Sequence, residues 1–180
     1  LFNWVFDRLE KLPANAKILE LGCGPAHIWR ECSKRIPANW DITLSDLSAG
    51  MVDAAWRNLV VTGRNFEFRE IDAQEIPFED ETFDAVIANF MLYHVPDRSK
   101  ALYEIKRVLK QGGRLVAATA GKNHMREMME YFQRVHVDKI WESYANPFTL
   151  DNGLEQLQPF FPNTVMISRY EDGLNVTEVE

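Results

Sequence analysis

The 180-residue sequence has little of what would take it outside an ordinary aqueous domain. Its two cysteines, Cys23 and Cys32, form no C-x-x-C pair and stand in no histidine-rich spacing. Neither a disulfide framework nor a metal site is expected, and free thiols in a reducing cytoplasm are the simple reading. No apolar run approaches the roughly 18 residues that a membrane-spanning helix needs, so no membrane partner is expected. The opening Leu1-Phe2-Asn3-Trp4 lacks the basic region and cleavage site of a signal peptide. Positive charge is scarce: 20 Lys and Arg stand against 27 Asp and Glu, a net charge of −7. Such a field repels a phosphate backbone and makes nucleic acid an unlikely partner. No G-x-x-x-x-G-K-[ST] occurs, which excludes a P-loop. Repeats, low-complexity tracts and linkers are absent too, so residues 1–180 are expected to form a single domain.

What is present is alternation. Lys17 to Leu21 is a short apolar run that stops at Gly22, as a buried strand does. A helical stretch at 26–36 ends at Pro37. Strands are expected at 40–44, 66–71, 83–88 and 114–119, and a sixth near 164–170. Between them, Met51, Val52, Ala55 and Leu59 share a face of a helix over 49–60. Leu102, Ile105, Val108 and Leu109 mark a helix over 97–110, capped by Asp97 or Ser99 and ended by Gly112-Gly113. Further helices are expected at 123–140 and 150–160. This order implies βαβ units: an α/β, Rossmann-like, mostly parallel sheet with helices on both faces. Ligands bind such sheets beyond the carboxyl ends of the strands.

The strand ends therefore carry the chemistry. After the first comes Glu20-Leu21-Gly22-Cys23-Gly24-Pro25-Ala26, where glycines allow a tight turn and close approach of a ligand. The dinucleotide fingerprint G-x-G-x-x-G fails at His27, which disfavours NAD. After the second, the Asp46 carboxylate could accept from both hydroxyls of a ribose, or could be a solvated turn residue. After the third, Asp72 and Ala73 pair a side-chain acceptor with a backbone N–H, which suits an adenine edge; taken alone, Asp72 is more often a helix cap. After the fourth, Asn89-Phe90-Met91-Leu92-Tyr93-His94 puts polar and aromatic groups at the mouth. His94 is either a base or a hydrogen-bonded structural histidine.

Five segments in order resemble the class I S-adenosylmethionine-dependent methyltransferases, particularly the methyltransferase domain 11 group of largely small-molecule enzymes. They are residues 18–24, 44–48 with Met51, 71–78, 83–90, and 101–115 with its Leu109-Lys-Gln-Gly-Gly113. The resemblance implies a fold, a cofactor and a set of roles. Gly22, Cys23 and Gly24 would cradle the methionine part of S-adenosylmethionine, with Glu20 supporting the loop or the amino group. Asp46 would hold the ribose, Leu47 and Met51 would pack on the adenine, and Asp72 and Ala73 would read its edge. Asn89, chiefly through its backbone carbonyl, would meet the amino group, with Phe90 nearby. Departures also carry meaning. Ala26 stands where the family usually has another glycine. Asn89-Phe90-Met91-Leu92 is not the [DN]-P-P-[YF] of enzymes that methylate planar amino groups of nucleic acid or glutamine.

The expected activity is in-line transfer of a methyl group to an oxygen, nitrogen or carbon of a small molecule. A base is needed only where the acceptor must lose a proton, and Tyr93 and His94 are the catalytic candidates. The alternatives are a cofactor-binding module or partner subunit without catalysis and, further off, an RNA methyltransferase. The family's sheet usually ends in an antiparallel seventh strand, whereas here the last ten residues, 171–180, offer no apolar alternation for one. The sheet is thus expected to lack its last edge strand. The native chain would then continue past Glu180, or a partner, possible as a second copy, would cover the edge.

Overall fold

The computed structural model describes residues 2–9, 11–121 and 147–167. Five strands form one sheet: β1 (Lys17–Leu21), β2 (Asp41–Asp46), β3 (Glu67–Glu70), β4 (Phe83–Asn89) and β5 (Leu109–Ala118). All neighbours are parallel, in the order β3-β2-β1-β4-β5. The described helices are α1 (Phe2–Phe6), α2 (His27–Glu31), α3 (Ala49–Leu59), α4 (Arg98–Val108) and α5 (Gly153–Leu157). No described helix is long and apolar enough to cross a membrane.

Parallel strands covered on both faces are buried at successive positions, as β1 is over Ile18–Leu21 and β4 over Ala85–Ala88, with Glu20 the one charged side chain among them. Side chains alternate between the two faces. Ile18, Ile42, Leu44, Ala85 and Ile87 pack with Phe6, Trp29 and Leu59 from α1, α2 and α3. Leu19, Leu21, Val86 and Ala88 pack with Leu102, Ile105 and Val108 of α4, and with Phe148 just before α5. Each large side chain so buried contributes about 1.5–3 kcal/mol. Cutting Ile87 or Leu102 to alanine would cost about 2–5 kcal/mol, because neither site can collapse against a rigid sheet.

Several expected boundaries move. β2 starts one residue later and runs on to Asp46, while Trp40 is buried beside it and donates to Pro13 O at 2.9 Å. β3 is shorter than 66–71, and the stretch over 26–36 divides into α2 and a 3-10 turn at Ser33–Arg35. α4 ends at Val108 rather than at the glycine pair. Glu81 N and Thr82 N, at the entry to β4, donate to Arg107 O and Val108 O at 2.9 and 2.8 Å. These bonds take the last helical carbonyls into the sheet, so Leu109 is already extended opposite Phe83. Residues 110–113 then bulge out before Arg114 pairs with Ala85. α5 is shorter than 150–160. Thr164 to Ile167 form no ladder, with Val165, Met166 and Ile167 exposed, and the rest of the expected sixth strand lies outside the described residues. The helix expected at 123–140 also lies outside them.

Candidate functional site

The strand order reverses direction between β1 and β4, and a crevice opens beyond their carboxyl ends at such a point. Glu20 of β1 and Asn89 of β4 meet across it: Asn89 Nδ2 donates to Glu20 Oε1 at 3.3 Å. The other carboxyl oxygen accepts from Trp29 Nε1 of α2 at 2.5 Å. Glu20 is buried, and burial pushes its carboxyl up from 4.5 to about 8 against the pull of both hydrogen bonds, with the negative Asp46 adding to the rise. Asn89 Oδ1 is buried and has no donor among the described residues. An unpaired buried acceptor costs about 1–3 kcal/mol, so a donor belongs there.

The loop between β1 and α2 is held by three hydrogen bonds, two to β2 and one from α3. Cys23 N donates to Ser45 O at 2.8 Å, Gly24 N to Asp46 Oδ2 at 3.0 Å, and Asn58 Nδ2 to Pro25 O at 2.7 Å. Gly22 has φ +65°, and a Cβ on it would sit 2.6 Å from Met91 Cβ, so the segment after β4 closes directly over the loop. Gly24 has φ +51°, and a Cβ there would meet nothing within 4 Å. That space is open. Ala26, the departure from the family pattern, takes φ 58° at the start of α2, the left-handed conformation a glycine adopts without strain. Phe90 is left-handed as well, with φ 52°, where the chain turns out of β4.

The remaining predicted residues lie in the loop after β1 and at the ends of β2, β3 and β4. Asp46 closes β2 and is already bonded at both oxygens, Oδ1 accepting from Ser48 N and Oδ2 from Gly24 N, each at 3.0 Å. A carboxylate accepts about four hydrogen bonds, so capacity remains for two hydroxyls. Leu47, between β2 and α3, and Met51, in the first turn of α3, are 67% and 44% exposed, which offers apolar surface beside that carboxylate. The Cys23 thiol is buried in the core under the loop, which pushes its pKa up, and its backbone N–H and C=O are bonded to Ser45 O and Ala26 N. Asp72 follows β3 and is gripped by Gln74, whose backbone N–H and side-chain amide hold its pKa below the usual carboxylate range. Ala73 is buried and can offer only its main chain. Tyr93 and His94 lie in the 3-10 turn Leu92–His94, their rings 4.4 Å apart; Tyr93 is half-buried and His94 exposed. Tyr93's pKa is raised by burial.

Sequence reasoning missed Trp29 and Gln74. A buried indole needs a partner for its N–H, and Asp-x-Gln is a turn in which the later residue can bond the earlier carboxylate. Those were the signals. No group of side chains suited to a metal ion occurs among the described residues.

Residues 19–117, more than half of the chain, match the family model of the methyltransferase domain. The chain belongs to this methyltransferase family. A relative of 34% identity over 102 residues is the ubiquinone/menaquinone biosynthesis C-methyltransferase UbiE of Idiomarina loihiensis. The match covers 56% of this chain and 41% of that protein, so the chain spans about two fifths of the relative's length. Among solved structures, an S-adenosylmethionine-dependent methyltransferase of Methanosarcina mazei is similar at 26% identity and a TM-score of 0.56, over 68% of this chain and 61% of the other. The [4+2]-cyclase SpnF is similar at 28% identity and a TM-score of 0.58, over 63% and 42% of the two chains. The cofactor that this methyltransferase fold implies is S-adenosylmethionine, and the residues present fit it. The open space at Gly24 suits its methionine chain, the unpaired Asn89 Oδ1 its ammonium, and Asp46 its ribose.

Proposed function

We propose that this methyltransferase domain binds S-adenosylmethionine across the β1–β4 switch point and transfers its methyl group to a small-molecule acceptor. The observation that carries the reading is the Glu20–Asn89 contact with its unpaired amide oxygen, flanked by the open Gly24 and by Asp46. When bound, the cofactor supplies an electrophilic methyl group on a positively charged sulfur. The chain's own residues bind and align. Asn89 Oδ1 accepts from the ammonium, and the Glu20 carboxyl behind it supplies negative charge once ionised. Asp46 takes the ribose hydroxyls, Leu47 and Met51 cover the adenine, and Asp72 with Ala73 reads its edge. Phe90 and Met91 close the loop side, which excludes water from the displacement.

The acceptor lies on the side of Tyr93 and His94. Likeness to UbiE, a C-methyltransferase, supports carbon as the first acceptor atom to test. A ring carbon becomes nucleophilic when a neighbouring hydroxyl loses its proton, and His94 is the base we assign to that step. The cytoplasm is the proposed location, and a second copy of the chain is the proposed cover for any open sheet edge. The second reading, a cofactor-binding domain without catalysis, is not favoured by the likeness to methyltransferases.

Calorimetric titration of the full-length protein with S-adenosylmethionine, S-adenosylhomocysteine and NAD tests the first half. Tighter binding of NAD than of S-adenosylhomocysteine would overturn it. Labelled cofactor with a panel of phenols, quinols, amines and thiols tests the second half, and tight binding with no label transferred to any acceptor would favour the second reading.

A further inference from the structure

The segment from Ile71 to Thr82, which carries Asp72 and Ala73, has no helix or strand of its own. Its shape is imposed by α4. Arg107 donates from Nε and Nη2 to the two oxygens of Glu104, at 2.8 and 2.7 Å. The same guanidinium also reaches into the segment, to Ile76 O at 2.9 Å, Phe78 O at 2.7 Å and Asp80 Oδ1 at 2.9 Å. Glu104 Oε2 answers by accepting from Ile76 N at 3.0 Å. At the other end of α4, Asp97 caps the helix through Lys100 N and donates its own N–H to Gln74 Oε1 at 3.1 Å. Gln74 Nε2 in turn holds both oxygens of Asp72, at 3.0 and 3.1 Å.

An ordinary surface ion pair does little, because water and side-chain freedom cancel its attraction. This pair is different in kind. Both side chains are largely buried, 22% and 15% exposed, and the fork geometry lets one cation satisfy two main-chain carbonyls and two carboxylates at once. A lysine, with a single nitrogen, cannot make this set.

We propose that Glu104 and Arg107 are the positioning residues for the adenine side of the cofactor site. They touch no cofactor atom; they fix the segment so that Asp72 and Ala73 stand where an adenine edge is read. This rests on the reading of Asp72 and Ala73 given above. The pair therefore sets base selectivity, which a packing role alone would not do.

The test compares the full-length wild type with Arg107→Lys, Arg107→Met and Glu104→Gln. Each is titrated with S-adenosylhomocysteine and with S-inosylhomocysteine, in which a carbonyl replaces the exocyclic amine. The wild type should prefer the adenine ligand by about tenfold or more, the scale of one well-placed hydrogen bond. The variants should lose about tenfold on the adenine ligand and little on the inosine ligand, so that the preference collapses. KM for the methyl acceptor should stay unchanged. Should Arg107→Met not fold, Glu104→Gln, which keeps the cation and one acceptor oxygen, carries the comparison. A lower melting temperature with the preference intact overturns the positioning role. A wild type that binds neither ligand overturns the cofactor reading itself, so the two failures are distinguishable.

Discussion

Replacing Glu20 with glutamine probes the site at its most deeply buried acid. In the folded protein the carboxyl holds its proton up to about pH 8, whereas an unfolded chain releases it near 4.5. The folded state therefore binds more protons than the unfolded state throughout that window, and stability falls as pH rises through it. Between pH 6 and pH 9 the difference amounts to about 2.5 kcal/mol, or about 5–10 °C in Tm for a chain of this size. Glutamine has the same shape and no proton to lose. Its oxygen can accept from Trp29 Nε1, and its NH2 can donate to Asn89 once that amide turns over. Glu20→Gln should thus remove this part of the decline, leaving a flatter Tm profile that crosses the wild-type curve. Scanning calorimetry of both proteins at half-unit steps from pH 5 to 9.5 reads the effect directly. Affinity for S-adenosylmethionine at pH 8.5 should fall about tenfold in the variant, since a charge opposite the ammonium is gone. Parallel Tm profiles, offset but never converging or crossing, would refute the reasoning.

Gly22→Ala should cost about 2–4 kcal/mol by chemical denaturation, because its Cβ would press on Met91 and its backbone is left-handed. Gly24→Ala should cost only about 1–2 kcal/mol yet weaken cofactor binding at least as much as Gly22→Ala; unchanged affinity would show that the open space is not the cradle. Asp46→Ala should weaken S-adenosylhomocysteine binding by about 1.5–3 kcal/mol in titration calorimetry, and an unaltered Kd would remove Asp46 from the site. His94→Ala should lower turnover by roughly 10²–10⁴ with cofactor affinity nearly intact; normal turnover on the true acceptor would rule out the base.

The sheet was legible wherever burial on both faces forced a continuous apolar run, as in residues 17–21 and 83–88. The end of α4 was not. Leu109 continues the helical spacing and Gly112-Gly113 is a strong stop signal, but what ends the helix is a pair of bonds from Glu81 and Thr82, distant in sequence. Asp46 and Asp72 could be placed at strand ends from sequence because each follows a run that reads as a strand. Asn89's side chain could not, since its role depends on β4 lying beside β1, which only the strand order reveals. The orientation of the Cys23 thiol was not legible for a related reason. It stands between two glycines, and the left-handed conformation on either side sends its thiol inward.

That inward thiol makes the Gly-Cys-Gly loop less portable than its short motif suggests. The glycines alone would graft onto many strand-to-helix turns, but the residue between them is a plug that joins the buried cluster built from this side of the sheet and the helices covering it. A host scaffold lacking that cluster would have to swing the plug outward, turning the peptide planes whose N–H groups now point at Ser45 and Asp46. Transplanting the loop therefore means transplanting its foundation, and chimaeras joined immediately after Gly24 should fail more often than those that carry the first helix along.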